Sequence, residues 1–184
     1  EGESLELLGN MENDEWSYPK FFLSSDGNPF GISYNKLWVM DKKNNYKISK
    51  VGEIKLVKGA IAQKIIHQNP NDENDYKEIN TLTIGAPVGE KASAVMIAKD
   101  KILFIGGQQK GEGYAASNEA IIIDISNSFN PKIEKKESMH YPRANADATI
   151  LPTGDVFVNG GTAIYQGAYD DTYFSNFTPE IYKT

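Results

Sequence analysis

Cysteine is absent from the 184-residue sequence, and histidine occurs only twice, as His67 and His140. Without cysteine these residues form no disulfide, no thiolate metal site and no cysteine nucleophile, although such a chain folds in either an oxidising or a reducing compartment. Neither histidine accompanies a Gly-x-Ser-x-Gly motif, and no pair of acids stands out as a general acid and base. The sequence therefore predicts no catalytic, cofactor-binding or metal-binding residue of its own.

Long apolar runs and basic blocks are missing as well. No stretch approaches the roughly 20 apolar residues of a membrane-spanning helix, so no membrane span is expected. The formal net charge is -6, and no lysine or arginine cluster suggests contact with nucleic acid. The first residues, Glu1 to Glu6, lack the basic and apolar regions of a signal peptide. Any targeting signal is therefore expected to have been removed or to lie upstream.

A short hairpin pattern is the clearest positive signal. Thr149 to Leu151 is a short apolar strand, Pro152 to Gly154 has turn composition, and Asp155 to Val158 is a second strand followed by Gly160 and Gly161. Two short strands around a proline-glycine turn predict a tight antiparallel hairpin.

The hairpin repeats along the chain. Ala94 to Gly107 has the same strand, polar turn, strand and double glycine, and Phe157 follows Phe104 by 53 residues. Propeller repeats of the kelch type recur at about 50 residues, with four strands to a blade. A weaker third copy spans Phe21 to Phe30. Phe30 precedes Phe104 by 74 residues, which is longer than one repeat, so an insertion is expected in that blade.

The remaining strands complete the blades. Lys36 to Asp41 and Ala120 to Ile125 are predicted as third strands, Tyr46 to Val51 and Lys132 to Glu137 as fourth strands, and Pro179 to Lys183 as the third strand of a further blade. The predicted fold is all-β, a kelch-like β-propeller segment of about three four-stranded antiparallel blades, the last incomplete. The blades are placed at about 18–57, 92–138 and 144–184, with an inserted loop at about 58–80.

The insertion is polar at its centre. Gln68 to Asp75 has a proline, low hydrophobicity and clustered acids, which are typical of an exposed loop. A calcium-binding loop of the EF-hand type needs a glycine at its sharp turn and a glutamate at its end, and neither accompanies the Asn and Asp residues of this segment. Ala60 to His67 fits a short helix or a strand pair, and periodicity leaves that choice open.

Several segments together resemble the galactose oxidase and glyoxal oxidase family of secreted copper radical oxidases. Ser138 to Asp147 looks like the Met-Pro-x-Pro-Arg-x-x-x-Asp joint of that family, and Leu151 to Val156 matches the hairpin after it. Tyr18-Pro19, Asp26 to Asn28 and Thr178 to Tyr182 are similar to further family segments. The resemblance implies a kelch propeller that is secreted, periplasmic or at the cell surface. Ile133 departs from the pattern, since kelch blades usually have tryptophan there.

The resemblance also implies what is missing. Copper in that family is held by two tyrosines and two histidines, and one tyrosine is cross-linked to cysteine. The positions that match its Tyr-His pair are Ala144 and Asn145, and a pair in the next repeat would come just after Thr184. We therefore expect a non-catalytic portion of such a protein, with no cofactor in this chain and copper only if a site is completed elsewhere. The expected partners are the remaining blades of a longer chain or a second copy.

Other residues are candidates for binding or for structure. Tyr114, Tyr165 and Tyr169 follow second strands and could stack on a carbohydrate or protein ligand, which gives the alternative function of a binding module without redox activity. With ten tyrosines in the chain, coincidence stays open as an explanation. His140 and Tyr141 stand in the wrong order and register for copper ligands and are expected to be a partly exposed pair. The structural joint is predicted to comprise Pro142, Arg143, Asp147, Gly106, Gly107, Gly160 and Gly161.

The ordinary interpretation of Arg143 and Asp147 is a structural ion pair or a set of hydrogen bonds to the neighbouring blade's backbone, with substrate contact as the sharper alternative. The glycine-rich segment Gly106 to Tyr114 lacks the lysine and the following helix of a phosphate-binding loop. Its first two glycines are instead expected to supply backbone freedom at a crowded strand end.

Overall fold

The computed structural model describes residues 19–55, 58–67, 76–84, 91–108, 116–163 and 175–184, and it gives the backbone alone for 58–67 and 76–84. Within these ranges lie thirteen strands and one short 3-10 helix, Lys42–Asn44. The strands are β1 Lys20–Leu23, β2 Pro29–Ser33, β3 Lys36–Asp41, β4 Lys47–Glu53, β5 Lys58–His67, β6 Tyr76–Ile84, β7 Ala92–Ala98, β8 Lys101–Gly106, β9 Ala120–Asp124, β10 Lys132–Lys135, β11 Ala144–Ile150, β12 Val156–Thr162 and β13 Glu180–Tyr182.

Within each sheet, strands that follow one another in the chain also neighbour one another in space. Blade 1 is β1-β2-β3-β4, blade 2 is β7-β8-β9-β10 and blade 3 is β11-β12-β13, and every pairing is antiparallel. The predicted fold class is confirmed: the chain is all-β, with consecutive sheets of four, four and three strands that form a partial propeller. The described part of the chain contains no helix that could cross a bilayer.

The insertion differs from the expected loop. β5 and β6 pair as an antiparallel hairpin, so the open choice for Ala60 to His67 is settled in favour of strand. The physical reason is the β-branched content of both segments, since Ile61, Ile65 and Ile66 lie opposite a second segment rich in isoleucine and threonine. The acidic centre, 68–75, lies outside the described residues.

Blade 2 shows how the sheets stack. Along β8, alternate side chains contact different neighbours: Ile102 and Phe104 pack with residues of blade 1, whereas Leu103 and Ile105 pack with residues of blade 3. We call the face toward the following blade the front face and the face toward the preceding blade the back face. Because both faces of blade 2 are covered, β8 reads as a continuous apolar run rather than an alternating one.

The stacking corrects the aromatic register of the repeat. Phe104 lies in the back face of blade 2, and Val158 lies in the back face of blade 3. Both precede their double glycine by two residues, and the glycines themselves are 54 residues apart. Phe157 is therefore not the equivalent of Phe104, because adjacent residues of a strand point to opposite faces. Its equivalent in blade 2 is Leu103.

A polar cluster closes one end of the seam between blades 1 and 2. Asp26, in the turn of the first hairpin, accepts hydrogen bonds from the backbone N–H and the hydroxyl of Ser128, at 3.1 and 2.7 Å. Across the same seam, the backbone N–H of Ser25 donates to Asp100 at 2.7 Å. Burial acts to raise the pKa of Asp26, but hydrogen bonds from Ser24, Ser128 and Asn28 outweigh it and lower that pKa from 3.8 to about 2.

We expect Asp26→Asn to reduce the acid sensitivity of the fold. The pKa of Asp26 is lower in the folded state than in the unfolded chain, so the unfolded chain binds more protons between these values. The stabilisation is thus complete above pH of about 4 and is lost as the pH falls toward 2. Urea unfolding at several pH values should show wild type and variant converging over this window. Ser128→Ala keeps the charge of Asp26 and the backbone N–H donor of residue 128, so it should retain part of the pH dependence of stability. A stability difference between wild type and Asp26→Asn that stays constant over this pH range would contradict the role of Asp26.

Candidate functional site

The joint between β10 and β11 is tied to blade 2 through its backbone. The N–H groups of Met139 and Arg143 donate to the carbonyls of Asn118 and Ser117, at 2.7 and 3.0 Å. The N–H of Gly107 donates to the carbonyl of Arg143 at 2.7 Å. The joint thus runs beside the segment that leads into β9, and both ends of that contact are fixed by main-chain hydrogen bonds.

The side chain of Arg143 is completely buried. Its Nη1 donates to the carbonyl of Gly160 at 2.7 Å, and its Nη2 donates to the carbonyl of Thr178. The guanidinium also forms an ion pair with Glu180, since Nη2 lies 2.9 Å from Oε1. Arg143 therefore connects the joint to the end of β12 and to the start of β13, which positions the third strand of blade 3.

Glu180 is the centre of this site. Besides Arg143, the backbone N–H groups of His140 and Tyr141 donate to its carboxylate, at 2.7 and 3.2 Å, and Nδ1 of His140 lies 3.1 Å from Oε2. Burial acts to raise the pKa of Glu180, but the hydrogen bonds from His140, Arg143 and Tyr141 outweigh it and hold the pKa below its ordinary value. The carboxylate is therefore ionised and occupied by donors, which suits a structural anchor better than a general base.

A shallow cleft of about 190 Å³ lies beside this anchor. It separates the segment after β10 from β13 and is lined by Glu137, Ser138, Met139, His140, Val158, Glu180, Ile181, Tyr182 and Lys183. Burial raises the pKa of Tyr182, which makes its phenol a neutral hydrogen-bonding group in the cleft. The His140 side chain is 88% exposed at the rim. The cleft is thus small, partly polar and open to solvent.

The predicted joint residues are brought together in part. Arg143 lies at the centre and half-buried Pro142 precedes it, but the ion-pair partner of Arg143 is Glu180 rather than Asp147, which is exposed on β11. Gly106, Gly107, Gly160 and Gly161 all have positive φ, so both strand ends use the left-handed region. His140 and Tyr141 are exposed, as predicted. Glu180 is not predicted as a site residue from the sequence. The available signal is that a buried arginine requires a charged or hydrogen-bonding partner, and that Glu180 is the acidic residue of the predicted strand Pro179 to Lys183.

The three candidate binding tyrosines, Tyr114, Tyr165 and Tyr169, lie outside the described residues. The bases of their two loops are adjacent, because the N–H of Ala116 donates to the carbonyl of Ala163 at 2.7 Å. Ala116 follows Tyr114 by two positions and Ala163 precedes Tyr165 by two, so these described ends of the two segments are neighbours.

The positions that the resemblance assigns to a Tyr-His ligand pair do not fit copper. Ala144 is fully buried and offers only a methyl group, and Asn145 is exposed with a φ of 57°. Neither residue offers an imidazole, and the methyl group of Ala144 offers no donor atom at all. The described ranges also contain no group of three or more histidine, cysteine, aspartate or glutamate side chains arranged to hold a metal.

No family model and no curated protein matches this chain. Among solved structures, a fungal alcohol oxidase of the AA5 family in complex with copper is similar with a TM-score of 0.47 and 16% identity, over 90% of this chain and 51% of that one. A protein named YjhT is similar with a TM-score of 0.34 and 13% identity, over 79% of this chain and 55% of that one. The chain spans about half the length of these structures. Similarity at this level is coarse and implies nothing about activity.

Proposed function

We propose that these residues are a non-catalytic portion of a galactose oxidase-like or glyoxal oxidase-like propeller protein, and that any copper radical site lies outside them. The observation that carries the proposal is the setting of Ala144. Its side chain is fully buried, and its backbone pairs with Thr162 at the start of β11. A tyrosine or histidine at this position has no space without repacking, so the position serves blade packing here.

The proposal includes a cellular setting and a dependence on other residues. By resemblance, the parent protein is secreted, periplasmic or at the cell surface. Copper enters only if a complete ligand set is supplied elsewhere, since this chain has no cysteine for the cross-linked tyrosine. The role of the three blades is then to support the sheet stacking of a propeller rather than to perform its chemistry.

We expect the purified chain to show no copper-dependent oxidation. Calorimetric titration with Cu²⁺ should give at most weak binding, and oxygen consumption with simple aldehydes and sugars should equal that of buffer with copper. His140→Ala is the control, because the exposed imidazole is a candidate for adventitious copper binding and its removal should reduce any weak signal. Stoichiometric copper binding that survives this substitution, or turnover above the buffer rate, would contradict the proposal.

A second candidate is a binding module for protein or glycan without redox activity. It is favoured by the adjacency of the two loop bases, since Ala116 and Ala163 are hydrogen-bonded across blades 2 and 3. Tyrosines on neighbouring loops can form a single aromatic surface for sugars or proteins. Saturable glycan binding that is lost in Tyr114→Ser and in Tyr165→Ser would favour this function over the first.

A further inference from the structure

The segment that leads into β13 presents a side-chain amide to solvent. Oδ1 of Asn176 accepts a hydrogen bond from the backbone N–H of Thr178 at 3.2 Å, which closes a short turn. The backbone N–H of Asn176 donates to the carbonyl of Gly161 at 2.8 Å, so the turn is held beside the end of β12. Among the described residues, Nδ2 of Asn176 has no hydrogen-bond partner, and it is not a buried atom. The amide nitrogen is therefore accessible at the surface.

The two residues that follow are also at the surface. Phe177 is 84% exposed, the highest value among the large apolar side chains of the described ranges, and Thr178 is exposed as well. Thr178 is held by its backbone, since its N–H donates to Asn176 and its carbonyl accepts from Arg143. The turn thus combines a fixed backbone with exposed side chains.

These three residues match a modification motif. Asn176, Phe177 and Thr178 form the tripeptide Asn-x-Ser/Thr, in which asparagine accepts an oligosaccharide when the central residue is not proline. No other asparagine in the sequence is followed two positions later by serine or threonine. The tripeptide alone is common by chance, so the accessible amide and its exposed neighbours carry the argument: a bulky glycan on a buried asparagine would prevent folding, whereas this position has room for one.

We propose that Asn176 is a site of N-linked glycosylation. The proposal rests on the proposed function, which places the parent protein on the secretory route where the transferase acts. The donor is an oligosaccharide joined through a diphosphate to a polyprenol lipid. Nδ2 of Asn176 forms a bond to the anomeric carbon of the first sugar, and the bond from that carbon to the diphosphate oxygen breaks. The lipid diphosphate leaves with the electron pair, and one amide proton passes to a base of the transferase.

The glycan also changes the surface around the turn. Phe177 is adjacent to the acceptor, and the face of an aromatic ring packs against sugar rings. A glycan on Asn176 therefore covers part of Phe177 and reduces the apolar area exposed at this end of blade 3.

Pro179 affects how many chains are modified. It follows the tripeptide directly and restricts the backbone of Thr178 to extended conformations. The tripeptide has to adapt to the site of the transferase, so this restriction should lower the fraction of chains that receive a glycan without preventing transfer. We therefore expect partial occupancy of Asn176, and Pro179→Ala should raise it.

The full chain, directed into the secretory pathway of a eukaryotic host by a cleavable signal peptide, tests the proposal. Intact-mass spectrometry of protein from the medium and from the microsomal fraction should show a glycosylated fraction. Peptide N-glycosidase should remove the added mass and convert Asn176 to aspartate. Thr178→Ala should abolish the modification and Thr178→Ser should retain part of it. Both variants keep the backbone contacts of Thr178, so both should unfold at the same urea concentration as unglycosylated wild type.

Two outcomes would overturn the proposal. One is an unmodified Asn176 in both the wild type and Pro179→Ala, and the other is added mass that persists in Thr178→Ala. Either result would leave the proposed function standing, because neither concerns copper chemistry. Turnover of substrate with copper by the glycosylated chain would instead contradict the proposed function, while Asn176 would still be the glycan acceptor.

Discussion

Replacing Arg143 with methionine is expected to lower the free energy of unfolding by about 3–5 kcal/mol, the usual cost of removing one partner from a buried ion pair. The variant leaves Glu180 without its guanidinium and leaves the carbonyls of Gly160 and Thr178 without their donor. Methionine has a similar length and no charge, so the loss comes from the hydrogen bonds rather than from a large cavity. Urea unfolding followed by tryptophan fluorescence and circular dichroism measures the change.

The matched control is Lys183→Met. Lys183 pairs with Asp155 at 3.0 Å, but its side chain is 77% exposed, so the expected loss is much smaller than that of Arg143→Met. The double variant Arg143→Met with Glu180→Met should be more stable than Arg143→Met alone, because it removes the unpaired buried carboxylate. Equal stabilities for Arg143→Met and Lys183→Met would show that the Glu180 anchor does not hold blade 3 together.

The strands themselves could be predicted because their signals are local. Ala120 to Ile125 and Lys36 to Asp41 are β-branched or aromatic, and glycine pairs end the second strands of blades 2 and 3. The side chains of a strand alternate, so the position of a glycine pair also fixes which residues face each neighbour. Matching Phe104 with Phe157 by aromatic type is one residue out of register. The distance to the glycines gives the correct equivalence.

The anchor could not be predicted in full because its partners are distant in the chain. Arg143 and Glu180 are 37 residues apart, and the carboxylate that lies four residues from Arg143, Asp147, points to solvent. A spacing of four brings side chains together on a helix, whereas β11 is extended and does not close that gap. Likewise, the contact between Asp26 and Ser128 spans 102 residues and depends on how blades 1 and 2 stack. Sequence identifies such residues as polar, and only the assembled seam shows their partners.

The proposed function depends on the stacking of the blades. A blade that is apolar on both faces requires a neighbour on each side, and among the described residues blade 2 has both. The joint around Arg143 contributes to this stacking, because the guanidinium connects the joint to β12 and β13.

Gly106→Ala is expected to destabilise the chain substantially more than Gly160→Ala, although both glycines have a φ of 68°. A Cβ on Gly160 would meet no atom within 4 Å, so this variant bears only the strain of the left-handed conformation, about 1–2 kcal/mol. A Cβ on Gly106 would overlap the carbonyl oxygen of Arg143 and would approach the Met139 side chain at 3.4 Å.

The carbonyl of Arg143 cannot move away freely, because it accepts the hydrogen bond from Gly107 at 2.7 Å. Breaking that bond in a buried joint should add about 1–3 kcal/mol to the backbone strain of Gly106→Ala. Paired urea titrations of the two variants isolate this added cost, since their shared φ cancels the strain that is common to both. Equal losses would mean that the joint yields to the extra methyl group, and that the close approach of Gly106 to Arg143 does not fix the position of blade 3.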